Sequence, residues 1–309
     1  MTKDVIYDTV ILGGGPGGYT AALYAVRAGL NTLVLEKFSA GGQMTQTANI
    51  DNYPGFESGI DGFTLGDKMK RGAERFGAET KRAEVLRVDL AASPKRIDTD
   101  SGVFYGKTVI VATGADHKTL GLENEEMLLG RGVGYCAACD GMMFRGRKVA
   151  VVGGGNTAVA DALLLSKICQ KVYLIHRRDT LRAEKVYEEA LKRADNVELR
   201  WNSEVTALRY DKLLTGITLK NKAGEEEALT LDGLFISIGR SPNTALFEGQ
   251  LKTDKDGYLI ADETTRTEID GVFAVGDVRT KPVRQIVTAT ADGAVASHYA
   301  EAYIAAEQG

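Results

Sequence analysis

The sequence predicts an α/β protein of two Rossmann-like, three-layer domains, the second inserted into the first and joined to it by a two-strand hinge. Three observations carry this. Two glycine-rich turns, at residues 13–18 and 153–158, each stand between an apolar strand and a helix of small residues. A lone strand and a long alanine-rich helix close the chain, too little to bury themselves as a domain. The length of 309 residues is generous for one domain and comfortable for two.

The first turn follows an apolar strand ending Val10-Ile11-Leu12 and reads Gly13-Gly14-Gly15-Pro16-Gly17-Gly18. Gly13, Gly15 and Gly18 match G-x-G-x-x-G in the strand–loop–helix setting that gives the motif its meaning. The first glycine permits the turn, the second lets backbone approach a pyrophosphate, and the third lets helix pack on strand. The helix opening at Pro16 offers free N–H groups to an anion. Asn31–Leu35 is the next strand, and Glu36 ends it. An acid there can bind a ribose 2′-hydroxyl and would repel a 2′-phosphate, so this site suits FAD or NAD. The plain alternative is a turn beside a surface glutamate.

The pattern recurs. Lys148–Val152 is a strand, Gly153-Gly154-Gly155-Asn156-Thr157-Ala158 the turn, with alanine in the third position, and Val172–Ile175 the next strand. Its end carries His176-Arg177-Arg178, with Arg182 just beyond. Forked arginine donors suit a phosphate, so the 2′-phosphate of NADP is the natural occupant; a solvated basic loop is the bland alternative.

The first unit runs to a strand at Thr108–Ala112, where Thr113-Gly114-Ala115 turns out of it. The second begins near His117 and includes an antiparallel meander with strands at Glu204–Arg209 and Leu214–Leu219. After Arg240–Asn243, the strand Val272–Val275 and a helix over Arg284–Ala306 should return to the first unit. The expected domains are 1–116 with 245–309, and 117–244.

Three cysteines are present, and two form Cys136-Ala137-Ala138-Cys139, followed by Asp140. Such a pair can pass two electrons as dithiol and disulfide. It could also be half a zinc site, but Cys169, His117, His176 and His298 offer no paired spacing to complete one. Cys169, near the end of an apolar helix, reads as packing, and Trp201, on a strand between charged residues, as packed or partly exposed. The composition, 44% hydrophobic and 26% charged with net charge −4, does not suggest nucleic acid. No apolar run approaches the ~20 residues of a membrane span. The opening Met1-Thr2-Lys3-Asp4 leads into a short run containing Asp8, which does not read as a secretory signal.

In this order and spacing the motifs resemble the low-molecular-weight, bacterial-type thioredoxin reductases over nearly the whole chain. The matching segments include residues 13–18, Gly41-Gly42-Gln43-Met44, Asn52-Tyr53-Pro54-Gly55, Ala112-Thr113-Gly114, Cys136–Gly141, residues 153–158, His176-Arg177-Arg178, Phe273–Asp277 and Arg284-Gln285. The resemblance implies bound FAD, NADPH as reductant, thioredoxin as protein substrate, and a cytoplasmic homodimer. FAD contacts map onto Gly13, Gly15, Pro16, Gly18, Glu36, Lys37, Gly42, Gln43, Asn52, Thr113, Gly114, Gly276, Asp277, Arg284, Gln285 and Ile286. Asp277 would bond a ribityl hydroxyl, and the helix start near Gln285–Ile286 would face the pyrimidine end of the flavin. NADPH contacts map onto Gly153, Gly155, Asn156, Thr157, His176, Arg177, Arg178 and Arg182. Cys139 would be the flavin-proximal sulfur and Cys136 the one that attacks thioredoxin. Asp140 would carry the proton or, more plainly, cap the following helix. Ala138 departs from the threonine frequent there and is expected to be buried and harmless.

The resemblance further implies that the inserted domain rotates, because disulfide and nicotinamide would share one domain and one flavin. A rigid protein with its two donors on opposite flavin faces is the competing arrangement. Rival functions are a reductase for another disulfide partner (a peroxiredoxin or glutaredoxin-like protein), a ferredoxin-fed reductase, and an FAD redox sensor that does not turn over. The peroxiredoxin version is disfavoured by the want of an N-terminal thioredoxin-like domain.

Overall fold

The computed structural model describes residues 5–47 and 49–308; residues 1–4, where the opening was read as no secretory signal, and Ala48 and Gly309 lie outside the described residues. The chain separates into two compact units, residues 1–116 with 241–309, and residues 117–240.

The first unit begins with β1 (Ile6–Leu12), α1 (Pro16–Arg27), β2 (Thr32–Glu36), α2 (Gly62–Glu74) and β3 (Glu79–Arg82). The hairpin strands β4 (Val85–Asp89) and β5 (Lys95–Thr99) then lead to β6 (Gly102–Val111). The sheet order is β3-β2-β1-β6-β5-β4; β1, β2, β3 and β6 are parallel, β5 runs antiparallel to β6, and β4 antiparallel to β5. Side chains alternate through this sheet with period two. Val10, Leu12, Leu33, Leu35, Val109 and Val111 pack one face with Val88, Ile97 and Phe247. Ile11, Val34 and Ile110 pack the other against Ala21 and Ala22 of α1. Burial on both faces is why these strands read as unbroken apolar runs rather than alternating ones. Pro16 starts α1, where its missing N–H costs nothing. Asp61 caps α2 by accepting a bond from Thr64 N at 2.9 Å.

β7 (Ala115–His117) leads into the second unit, which contains β8 (Val133–Gly134), α3 (Ala137–Asp140), β9 (Lys148–Val152), α4 (Asn156–Ser166), β10 (Lys171–His176), α5 (Lys185–Leu191) and β11 (Val197–Trp201). The antiparallel meander β12 (Ser203–Tyr210), β13 (Leu214–Asn221) and β14 (Glu226–Thr230) precedes β15 (Gly233–Ile236). The parallel sheet runs β11-β10-β9-β15-β8. Val149, Val151, Leu174 and Phe235 face α4. Ala150, Ile175, Leu234 and Ile236 face the meander through Val205, Ile217 and Leu229.

The chain returns through β16 (Arg240–Pro242), which pairs with β7. Contacts place the second crossing at 240/241 rather than the expected 244/245. Asn243 explains the difference: its N–H donates to Gly114 O at 3.0 Å and its side-chain amide to Thr113 O at 3.1 Å, which fastens it to the first unit. β17 (Val272–Ala274) then adds to the first sheet beside β6, and α6 (Ile286–Gln308) packs on α1. This helix starts at Ile286, not Arg284. Its small residues are there for close approach: a Cβ on Gly293 would lie 2.3 Å from Gly17 O, and Ala296 and Ala300 are fully buried. Among the described residues no helix is long and apolar enough to cross a membrane.

Candidate functional site

The two glycine turns are built alike. In the first unit Leu12 pairs with Leu35, and Gly13 N donates to Leu35 O at 2.9 Å. In the second, Val152 pairs with Ile175, and Gly153 N donates to Ile175 O at 3.0 Å. The register therefore gives Glu36 and His176 corresponding places, one residue past each strand partner, with Arg177 and Arg178 just beyond.

Each glycine in these turns has a separable reason. Gly13 (φ +107°) and Gly153 (φ +152°) hold a left-handed backbone that side chains disfavour. A Cβ on Gly18 would lie 2.0 Å from Gly13 O, so strand and helix could not close; at the matching position Ala158 is fully buried. A Cβ on Gly14 would meet Glu36 Oε2 at 2.9 Å, and one on Gly154 would meet the His176 ring at 2.2 Å. Gly15 and Gly155 differ. Both have ordinary extended backbone (φ −77° and −96°), both immediately precede their helices, and a Cβ on either would meet nothing within 4 Å. The protein itself gives no reason for glycine there; a pyrophosphate laid on the helix start does. The residues present thus fit a dinucleotide at each turn.

Around the first turn, Glu36 accepts from Gly14 N (2.5 Å) and Phe38 N (3.0 Å), which fixes its carboxylate at the edge of the loop. The exposed Lys37 ammonium instead reaches Glu84, at 2.7 Å. Gly42 comes close to the same loop: a Cβ on it would lie 3.3 Å from Gly15 Cα. Gln43 donates to Ala115 O and, at 2.9 Å, to Asp116. Thr113 Oγ1 donates to Asn243 O at 2.8 Å, beside Gly114. Asn52 donates to Gln285 Oε1 at 3.1 Å, joining residues far apart in the chain just ahead of Ile286. Arg284 stacks over Tyr258, 3.8 Å from the ring centroid, and donates to Asp277 O and Arg279 O.

Around the second turn, His176 is buried behind Gly154. Burial, with the neighbouring Arg182, Arg178 and Arg177 charges, pushes its pKa below the ordinary value. It therefore walls the loop as a neutral ring, while Arg177, Arg178 and Arg182 are exposed. Asn156 holds the far end of the arginine segment: it donates to the Glu184 carboxylate at 2.8 Å and accepts from Glu184 N at 2.9 Å. Thr157 is exposed next to it.

Cys136 and Cys139 form a disulfide at the start of α3. Both are partly accessible, and Cys139 N donates to Cys136 Sγ at 3.2 Å. Two expectations for this segment change. Ala138 is exposed; Ala137 is the buried alanine, packed with Val149 and Leu165. Asp140 makes no side-chain cap for the turn Gly141–Phe144. Its carboxylate faces Gly134 on β8, and burial pushes its pKa from the ordinary 3.8 up to about 6. Cys169 is buried and free, with its thiol pushed up to about 11 by burial. Trp201 is half-buried, edge-on to His176.

Sequence reading missed several supporting residues. Asn243, Glu184 and the buried Glu125, which accepts from Tyr135 OH at 2.8 Å next to Cys136, have no motif of their own. Asp292 belongs with them; an acid between small residues in the alanine-rich helix was the available signal.

Two dinucleotide turns, of which the second shares its unit with an accessible disulfide, define a flavin- and pyridine-nucleotide-dependent disulfide oxidoreductase. Comparison agrees: the chain belongs to the pyridine nucleotide-disulphide oxidoreductase family, matched over residues 7–293, and the cofactors are FAD and NADPH. It is 45% identical to a thioredoxin reductase of Streptomyces clavuligerus, over 97% of this chain and 95% of that one. A Listeria monocytogenes thioredoxin reductase is 44% identical over 98% and 95%. The crystal structure of thioredoxin reductase from Streptococcus pyogenes matches with a TM-score of 0.92 at 39% identity, over 98% of this chain and 100% of that chain. A glucosaminate ammonia-lyase of Pseudomonas fluorescens is also 44% identical, over 96% and 95%. Overall likeness is therefore shared between two named activities.

Proposed function

We propose that this protein is an NADPH-dependent thioredoxin reductase, in which the Cys136–Cys139 pair passes reducing equivalents to the disulfide of thioredoxin. The observation that carries the reading is the accessible disulfide on the same unit as the arginine-flanked turn, in a chain whose other unit carries the acid-flanked turn. When bound, FAD supplies a two-electron carrier between NADPH and that disulfide.

The glycine turns receive the two pyrophosphates, with Glu36 on the FAD ribose and Arg177, Arg178 and Arg182 on the NADPH 2′-phosphate. Gln43, Asn52, Asp277, Arg284 and the start of α6 hold the rest of the flavin. Two electrons and two protons open the Cys136–Cys139 bond to a dithiol. Cys136, as thiolate, attacks the thioredoxin disulfide and forms a mixed disulfide; Cys139 then displaces it, which releases reduced thioredoxin and restores the starting bond. The N–H bond from Cys139 to Cys136 Sγ favours the thiolate at Cys136, in keeping with the attacking role. Asp140, with a pKa lifted to about 6, can take up and give back a proton next to Cys139 in the chain. Exposed Met142 and Met143 flank this segment and give it an adaptable apolar surface suited to a protein partner.

Disulfide and nicotinamide belong to the unit of residues 117–240 and both must reach one flavin held by the other. Rotation about the paired crossings β7 and β16 serves the two half-reactions in turn. The protein works in the cytoplasm as a homodimer.

The test is Cys139→Ser. NADPH should still bleach the flavin of this variant, while thioredoxin reduction is abolished. Thioredoxin turnover that survives the substitution sinks the relay.

A further inference from the structure

Two buried cations of the first unit, Arg279 and Lys281, converge on one carboxylate. Asp292, in the second turn of α6, uses both oxygens. Oδ1 accepts from Arg279 Nη2 at 2.8 Å; Oδ2 accepts from Arg279 Nε at 3.0 Å, Lys281 Nζ at 2.7 Å and Gly276 N at 2.9 Å. The side chains of Asp292, Arg279 and Lys281 are 8%, 3% and 5% exposed, so nearly all of this lies away from water.

What the carboxylate grips is as informative as its burial. Gly276 immediately precedes Asp277, and Arg279 follows it by two residues, so one acid holds both ends of the short turn that presents Asp277. Lys281 also donates to Thr288 O, in the first turn of α6, at 3.1 Å. A cation beside a helix start is electrostatically adverse by itself, and Asp292 offsets it. Arg284 donates to the backbone oxygens of Asp277 and Arg279, so it hangs on the same turn. The elements assigned to the flavin here, Asp277, Arg284 and the start of α6, are thereby tied to a single point. An ion cluster this buried is weak evidence of stability, because desolvation offsets much of the attraction. Its geometric yield is a fixed spacing between a turn and a helix end.

We propose that Asp292 is a positioning residue for FAD: by clamping the Gly276–Val278 turn to α6, it sets Asp277 and the helix start at the spacing one flavin requires. The proposal rests on the FAD reading given above.

The experiment strips FAD from the purified full-length protein and titrates it back, following flavin fluorescence, for the unaltered chain, Asp292→Asn and Lys281→Met. Thermal unfolding of each apo-protein and the visible absorption bands of each holo-protein are recorded in parallel. Asp292→Asn should raise the FAD Kd about tenfold or more, the equivalent of ~1.4 kcal/mol, and shift the flavin bands. Lys281→Met, which leaves the Arg279–Asp292 pair closed, should raise the Kd by a smaller factor, roughly twofold to fivefold, at 0.4–1 kcal/mol by the same arithmetic. A folded Asp292→Asn apo-protein of lowered melting temperature but unaltered FAD affinity and bands would show a merely structural cluster and overturn the proposal. Should Asp292→Asn not fold, Lys281→Met decides alone, and unchanged affinity and bands there overturn it. An unaltered chain that takes up no flavin overturns the cofactor reading and the proposal together, an outcome separate from the others.

Discussion

Alanine at position 155 should leave the apo-protein intact and cripple NADPH binding. Gly155 has φ −96° and ψ 179°, a backbone any residue adopts, and its added Cβ would meet nothing within 4 Å. Gly155→Ala therefore introduces no strain, and by restricting the unfolded chain it should stabilise the apo-protein by about 0.4–1 kcal/mol. For a chain of this size that is a rise of roughly 0.6–1.5 °C in Tm. The same methyl projects where a pyrophosphate must approach the helix start. Displacing that contact should raise the NADPH Kd at least about tenfold, or ~1.4 kcal/mol. Gly15→Ala should do the same to FAD. Gly18→Ala is the control in the opposite sense: its Cβ would sit 2.0 Å from Gly13 O, so overpacking should cost about 1–3 kcal/mol or more before any cofactor is added. Calorimetry of the apo-proteins and titration with each cofactor separate the two effects. A Gly155→Ala protein that binds NADPH as tightly as the unaltered chain would refute the reasoning, and so would one whose apo-form is destabilised by more than ~1 kcal/mol.

Replacing Arg177 and Arg178 with glutamine should raise the NADPH KM roughly tenfold to a hundredfold, at ~1.5–3 kcal/mol for hydrogen bonds to a charged group, and leave NADH nearly unaffected; steady-state kinetics with both cofactors checks this, and equal effects would place the 2′-phosphate elsewhere. Asp140→Asn should slow thioredoxin turnover about 10²–10⁴-fold, the usual weight of general acid–base catalysis. Its stability effect should run the other way. A carboxyl raised from 3.8 to about 6 in the fold favours the native state fully below pH 3.8 and loses that contribution as pH rises through about 6. Asn should therefore stabilise the protein near pH 8, by about 1–2 kcal/mol after allowing for solvent screening, and not near pH 3; denaturant unfolding at the two pH values tests it. A crosslink between residues of the two units should stop turnover yet spare FAD binding, and a crosslinked protein of full activity would rule out the rotation.

Much of this was legible in the sequence because the features are local. A glycine turn between strand and helix, an acid or a pair of arginines one strand later, and a close cysteine pair are all read within a few residues. The return of β17 and α6 to the first sheet followed from counting what a lone strand and helix can bury. What stayed hidden depends on tertiary contact. His176 shares a motif with two arginines, but its register behind Gly154 buries it, so its role separates from theirs only in three dimensions. Ala138 and Asp140 lie two positions apart, and no periodicity in so short a helix tells which faces inward. The crossing at 240/241 is set by Asn243 bonding to residues 113 and 114, across a separation that no local pattern spans. Asp292 has no local signal of its role, because its partners Arg279 and Lys281 lie outside the helix.

The most direct measurement of the central claim is NADPH oxidation by the purified FAD-loaded protein with oxidised thioredoxin in large excess, and NADH as the control. Many turnovers with NADPH are expected, each matched by one thioredoxin disulfide reduced, and little with NADH. One reduction cycle followed by arrest, or equal rates with the two nucleotides, would contradict that claim.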